Sequence, residues 1–463
     1  MAKSDGGNTS QGNFFSSRIG LIMATVGSAV GLGTIWRFPA ETQAGGGGAF
    51  LLVYILCMLV LGIPVMLSEF VVGRAGRSDA VGSFRNLSPR SHWWIVGAGG
   101  VFTSFLITIF YMVVTGWTFE YLVQSVTGNL YAPVDDVTTN AGMTAAFSDR
   151  MHEYISTDIP PLVNTMIVVA INIIILVGGV KKGIERMANV AMPMLFVLLL
   201  VFMFVALSLP DAGAGVNYFL NPDFSKITPR VFISALGQAL FSLSLGMGIL
   251  ITYSSYYPAT TNLPRTSVIV STMTLLVAVM MGLIIFPAVV SFGIADHGMA
   301  GTTLVFVTLP EVFANLPGCQ IWSTLFFLLL FLAALTSTVS IAEPSIAFVR
   351  DRFKTSRVKA VLIVLLPMFV LSAVCSLSFG SLSDITLNGM NIFETLDMFT
   401  NNIMLPIVAL GECLYVGWFA PRNLLGDELT NRGTLRSHLV RPIRFILRYV
   451  APPAIVVIMI TGL

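Results

Sequence analysis

Charge is scarce in this chain. Only 10% of its 463 residues are Asp, Glu, Lys or Arg, against about 25% in an ordinary soluble domain. The net charge is only +2, so nothing in the balance implies a nucleic-acid partner. Histidine and cysteine are rare, with four of each. His92, His152, His297 and His438 fall in or beside loops, and no His/Cys/Asp cluster has metal-ligand spacing. Cys57, Cys319, Cys375 and Cys413 show no close spacing, and three lie in apolar stretches, the setting of reduced core thiols. The sequence contains neither a Ser-His-Asp arrangement nor a phosphate loop, which argues against an enzyme. Met1 to Gln11 is polar and lacks the basic region, short apolar core and cleavage site of a signal peptide. The first apolar span is therefore expected to be kept as a transmembrane helix.

What the chain does have is apolar length. Hydrophobic residues make up 55% of it, in runs of about 20 residues, each enough to cross a bilayer. We read about eleven spans in an all-α integral membrane protein: Ile19–Thr42, Ala49–Val72, Trp94–Val123, Leu162–Val180, Ala188–Leu209, Val231–Tyr257, Val268–Phe292, Cys319–Val349, Ala360–Phe379, Glu394–Phe419 and Phe445–Leu463. Alternate connections are basic. Arg74, Arg77, Arg85 and Arg90 follow the second span, Lys181, Lys182 and Arg186 the fourth, Arg350, Arg352, Lys354, Arg357 and Lys359 the eighth, and Arg422, Arg432, Arg436, Arg441 and Arg444 the tenth. The positive-inside rule places these on the cytoplasmic side of a cell (inner) membrane. The loop with Asp135, Asp136, Asp149, Glu153 and Asp158 then lies outside, the N-terminus inside and the C-terminus outside. Leu304 to Pro310 is too short to span; it is either a re-entrant or capping segment over an outer vestibule or an ordinary packed loop helix.

Two spans are interrupted by glycine. Gly27-Ser28-Ala29-Val30-Gly31-Leu32-Gly33 breaks the first, and Phe241-Ser242-Leu243-Ser244-Leu245-Gly246-Met247-Gly248 breaks the sixth. Glycine weakens a helix interior by roughly 0.5–1 kcal/mol relative to alanine. Unwound backbone in hydrocarbon survives only where it lines a protein cavity. Breaks in corresponding segments of two halves point to a substrate site at mid-membrane, so the chain reads as a transporter. Freed N–H groups suit a carboxylate and freed carbonyls a small cation. Close helix packing through small residues is the alternative for the glycines, and bonding back to their own helix is the alternative for Ser242 and Ser244. Thr336-Ser337-Thr338, at mid-depth of the eighth span, offers either cation ligands or interhelical hydrogen bonds. Glu69, Glu343 and Glu412 are functional candidates simply as intramembrane charges. Arg37 and Asp397 fall toward the same outer mouth, as a gate or as a static ion pair.

The run Gly27 to Pro39 resembles the signature of the neurotransmitter:sodium symporter family. So do Gly46-Gly47-Gly48-Ala49-Phe50, Gly62-Ile63-Pro64, Lys182-Gly183-Ile184-Glu185-Arg186 and Leu335-Thr336-Ser337. The resemblance covers essentially the whole chain and is nearest the bacterial amino-acid branch. It implies the LeuT-like fold: two inverted five-helix repeats, here 19–209 and 231–419, with discontinuous first and sixth helices. Around them come a cytoplasmic segment 1–18, an extracellular loop 210–230, a cytoplasmic loop 420–444 and an eleventh helix 445–463.

The family's site residues carry over as follows. A second sodium site would use carbonyls of Gly27, Val30 and Ala333 with hydroxyls of Thr336 and Ser337. A first site would use Ala29, Thr34, Ser242 and Thr274, where Thr34 and Thr274 stand in place of amide or acidic residues. The substrate carboxylate would meet Gly31, Gly33 and Tyr111, with Ala29 and Ser242 beside it. Ile107, Phe241, Ser244, Met247, Ser337 and Ile341 would line the side-chain pocket. Monoamine members carry aspartate at the position of Gly31, so glycine favours a substrate bringing its own carboxylate. Outer closure would use Tyr111 over Phe241 and an Arg37–Asp397 pair. The inner gate would use Asp351, Ser255 and Tyr256; the expected basic partner falls on Gly12, with Lys3 or Arg18 as substitutes. Tyr54, Gln238 and Ser242 match a chloride site, and Thr274, Val277 and Ala278 leave that region neutral. The resemblance thus implies a Na⁺-coupled symporter of neutral, hydrophobic L-amino acids. The alternative keeps the fold with chloride-dependent or single-sodium coupling, or with another small carboxylate-bearing substrate. A channel is disfavoured, because two broken helices facing one site suit alternating access.

Overall fold

The apolar runs become helices, and the two glycine-rich breaks remain breaks. The computed structural model describes residues 15–134, 140–294 and 301–461; Lys3, Gly12, Asp135, Asp136 and His297 lie outside them. The first span is a bent pair, α1 (Arg18–Ala29) and α2 (Gly33–Ala44), inclined by 56°. There follow α3 (Gly48–Gly76), α4 (Trp94–Thr127), α5 (Ile159–Val177) and α6 (Val180–Leu207). The sixth span is α7 (Pro229–Ser242) and α8 (Ile249–Ser255), of 14 and 7 residues. Each half is shorter than the ~20 residues a crossing needs. The remaining helices are α9 (Leu263–Ser291), α10 (Cys319–Phe353), α11 (Arg357–Leu377), α12 (Ile392–Phe419) and α13 (Val440–Thr461). Nine described helices are long and apolar enough to cross a membrane, and the bent pair makes ten. The interrupted sixth span, too short in each half to qualify by length, accounts for the difference from about eleven.

Burial ranks the helices from centre to rim. The most apolar window of α10 is 83% buried, whereas that of α13 is 28% buried. The exposed side chains of α13 include Val457 and Ile460, as expected of a helix whose outer surface meets lipid. The short helix Leu304–Ala314 is packed, not spanning. Its Phe306 is fully buried, with ring contacts to Trp36, Trp117, Tyr121 and Phe327.

Each broken span has a local cause. In the first, Val30 leaves the helical region at φ −88°, ψ 85°. In the sixth, Ser244, Gly246 and Gly248 take φ of 54°, 76° and 66°. Left-handed backbone costs an L-residue roughly 1–2 kcal/mol, so glycine is the natural occupant at two of the three. Ser244 bears that cost while its Oγ donates to the Ser28 carbonyl, 2.7 Å away in the other broken span. The second break is thus bonded directly to the end of α1, where the first break begins.

Glu69 braces the second break, and Glu185 the start of the first broken span. Glu69, fully buried on α3, accepts the Gly246 N–H at 2.9 Å. Glu185 accepts the N–H and hydroxyl of both Ser16 and Ser17 at 2.7–3.1 Å, fixing the entry of α1. A carboxylate there also complements the positive end of a helix. At the end where α3 finishes, Arg74 pairs with Glu428 and also donates to the Glu428 and Thr261 carbonyls. The two side chains are only 3% and 13% exposed. Removing one partner of a buried pair costs about 3–5 kcal/mol. Arg74→Ala is therefore expected to lower the melting temperature of the detergent-solubilised protein by several degrees. An unchanged melting temperature would deny the loop after α12 its structural role.

Candidate functional site

The convergence of α1, α2, α7, α8, α4 and α10 brings most of the sequence-predicted residues together. Thr336 and Ser337 sit on the face of α10 that meets α1. Ser337 Oγ lies 3.4 Å from the Gly27 carbonyl, and Thr336 Oγ1 lies 3.0 Å from that of Ala333. A Cβ on Gly27 would stand 3.5 Å from Thr336 Cβ. With the released backbone of Val30 nearby in sequence, the donors are carbonyls and hydroxyls only, a hard oxygen set suited to Na⁺ at an unwound helix.

Beside it two glycines let neighbouring side chains approach the backbone closely. A Cβ on Gly31 would collide with Ser337 Oγ and stand 2.7 Å from the Tyr111 hydroxyl. That hydroxyl accepts the Leu32 N–H at 2.9 Å. A Cβ on Gly33 would run into the Phe241 ring. Ile107, Met247 and Ile341 are buried, at 0–4% exposure. A cavity of about 340 Å³ leads toward this point, lined among others by Leu32, Gly33, Tyr111 and Phe241. It reaches the two aromatic residues of the expected lid; Ile107, Met247 and Ile341 are not among its lining residues.

The residues of the expected first sodium site are only partly gathered. Thr34 Oγ1 donates to the Ala29 carbonyl at 3.1 Å. Gln238 Nε2 donates to the Gly33 carbonyl at 2.9 Å and to Ser242 Oγ at 3.0 Å, tying α7 to α2. Thr274 is different: its hydroxyl donates to the Val270 carbonyl of its own helix at 3.0 Å. One turn earlier, the buried Ser271 hydroxyl has no hydrogen-bond partner among the described residues. Tyr54 lies beside Ser242, yet its hydroxyl and Gln238 Oε1 are buried without a hydrogen bond of normal geometry. Ser244, expected in the pocket wall, uses its hydroxyl on the Ser28 carbonyl.

At the mouth of the cavity the expected Arg37–Asp397 contact is not made. Both residues line the cavity, but Arg37 pairs with Glu41 at 3.6 Å and stacks 5.0 Å over the Phe241 ring. Asp397 accepts from Asn401 Nδ2 at 2.7 Å. Each has a partner four residues along its own helix, a spacing that brings side chains together on one face. At the opposite end the contacts are closed. Tyr256 donates to Glu343 Oε1 at 3.0 Å, and Arg357 grips both Glu343 oxygens at 2.7 and 2.5 Å. Asp351 takes Arg350 Nε at 2.7 Å and the Asp79 N–H at 3.2 Å. Burial, helped by the Asp351 charge, holds the Asp79 carboxyl above the usual range against N–H bonds from Gly82 and Val81. Ser255 Oγ turns to the Thr252 carbonyl. Arg18 is exposed, and Asp351's ion pair is with Arg350, so Arg18 does not fill the role of its basic partner here.

Two broken helices bonded across a cleft, one end open and the other latched, define a membrane carrier. The sodium:neurotransmitter symporter family matches residues 12–156 and 147–463. A sodium-dependent transporter of Bacillus subtilis, itself uncharacterized, is 36% identical over 96% of both chains. One of Haemophilus influenzae is 35% identical over 98% of this chain and 99% of its own. The crystal structure of MhsT in complex with L-phenylalanine superposes with a TM-score of 0.87 at 37% identity, covering 97% of this chain and 100% of that one. The chain belongs to the sodium:neurotransmitter symporter family. It is a multi-pass, sodium-dependent transporter, not an enzyme.

Proposed function

We propose that this transporter is a Na⁺-coupled symporter of neutral, hydrophobic L-amino acids, working by alternating access in a cell membrane with its N-terminus inside. The observation that carries the substrate class is the close approach at Gly31, where the absence of a side chain lets the Tyr111 hydroxyl and Ser337 press against the released backbone beside the cavity. On this reading a carboxylate in the cavity meets the Tyr111 hydroxyl and the freed N–H groups of the break, while Ile107, Met247, Phe241 and Ile341 offer apolar surface and no counter-charge. Burying an unpaired side-chain charge against them is costly. MhsT, similar along its whole length, is named as a complex with L-phenylalanine, which supports the same class. The coupling ion sits among Gly27, Val30, Ala333, Thr336 and Ser337 on this reading.

A thermal-shift screen of the twenty amino acids, with and without NaCl, tests it. A ligand that binds only the folded state stabilises it by RT ln(1 + [L]/Kd). Sodium-dependent shifts are expected for Leu, Val, Met, Phe or Trp. A shift for Lys or Glu with none for these would refute the assignment.

A second reading concerns chloride, and the buried Tyr54 hydroxyl, a donor without a hydrogen bond of normal geometry, favours it. Sodium in a low-dielectric site gains from nearby negative charge, which Thr34 and Thr274 do not supply. An anion held by Tyr54, Gln238 and Ser242 would supply it. Uptake is then expected to be higher in NaCl than in sodium gluconate, and Thr274→Asp to relieve the dependence. Equal native uptake in both salts favours a single-sodium mechanism.

A further inference from the structure

The two residues expected to seal the outer mouth are each engaged elsewhere, and both engagements follow one pattern. Arg37 is held by Glu41 at 3.6 Å, and Asp397 by Asn401 at 2.7 Å. Glu41 does more than neutralise Arg37. Its other oxygen accepts the hydroxyl of Ser234 on α7, so it ties α2 to α7. Arg37 in turn lies on the Phe241 ring of α7. Arg37, Glu41, Ser234 and Phe241 thus form one unit across the cavity from Asp397 and Asn401 on α12.

We propose that Glu41 is a positioning residue of the transport cycle. With Asn401 it keeps Arg37 and Asp397 apart while the mouth is open, and closure is an exchange in which Arg37 leaves Glu41 for Asp397. The inference rests on the alternating-access reading above and adds to it the partners that compete with the gate. The direction follows from solvation. The Arg37 and Glu41 side chains are 33% and 31% exposed, so their pair is wet, screened and weak. When substrate draws the mouth shut and water leaves, an Arg37–Asp397 pair forms in a lower dielectric and is stronger. Asp397 then gives up the neutral Asn401 amide for a charge-assisted contact. A weak open-state pair and a strong closed-state pair make the mouth responsive to substrate instead of locked in either state.

The test uses the full-length protein in NaCl without amino acid. Thr302, which lines the cavity, is replaced by cysteine in a Cys319→Ser background, and its labelling rate with a bulky maleimide reports opening of the mouth. Asp397→Asn is expected to raise the rate, because the closed pair is lost. Glu41→Gln is expected to lower it about threefold, a little above the usual worth of an exposed i,i+4 pair. Asn401→Ala, which leaves Glu41 untouched, is expected to lower it too. In the Asp397→Asn background, Glu41→Gln is expected to change nothing. A rate unmoved by Asp397→Asn overturns the gate reading itself. If Asp397→Asn raises the rate, the exchange is overturned by a Glu41→Gln effect that persists alongside it, or by no effect of either Glu41→Gln or Asn401→Ala. Should Glu41→Gln fail to fold, Asn401→Ala alone and in the Asp397→Asn background decides by the same criteria.

Discussion

Thr336→Val is expected to abolish most sodium affinity while leaving the protein folded. Valine keeps the branched shape of threonine and removes the oxygen. Among the described residues that oxygen makes a back-bond to the Ala333 carbonyl, 3.0 Å away on the same helix. Such bonds do little for helix stability, so the loss of a hydroxyl that would bind the ion dominates. A polar contact to a charge is worth about 2–3 kcal/mol, equal to roughly 30- to 150-fold in affinity. Sodium titration of the melting temperature measures this without any substrate. An unchanged midpoint concentration would remove Thr336 from the ion site.

Gly31→Ala is expected to have an effect of similar size on substrate. Gly31 does not lie in the left-handed region, so alanine meets no backbone strain there. Its Cβ does meet Ser337 Oγ and the Tyr111 hydroxyl. By pushing Ser337 and the Tyr111 hydroxyl out of place, the added methyl group should weaken amino-acid binding by about 100-fold or more, roughly 3 kcal/mol. The melting temperature in NaCl alone should move by only a few degrees, since Ser337 and Tyr111 can turn aside when no ligand competes. Full affinity for the same amino acids would show that the carboxylate binds elsewhere.

Much of this molecule was legible because its causes are local. Apolar length dictates helices in a bilayer, and runs such as Cys319 to Val349 needed no tertiary information. Glycine marks places where a helix gives way, so both breaks were visible as short patterns. The partners that hold the two mouth residues four positions along their own helices, Glu41 for Arg37 and Asn401 for Asp397, were also within reach of helix spacing. The longer-range Arg37–Asp397 pairing implied by the resemblance took precedence over them.

Other pairings had no signature in the chain. Ser244 reaches Ser28, 216 residues away, and Glu69 reaches Gly246, 177 residues away. Arg74 finds Glu428 across 354 residues. A hydroxyl or carboxylate in an apolar span must find a hydrogen-bond partner, but its own sequence does not say which one. The same ambiguity explains Thr274, whose hydroxyl was equally free to face the ion site or its own helix. The sequence by itself determined the helical class, the transporter type and the positions of both breaks, because hydrocarbon imposes those rules on every residue alike. Only the tertiary structure decided which polar groups meet across the breaks and which end of the cavity stands open, because those depend on helix packing that no short pattern encodes.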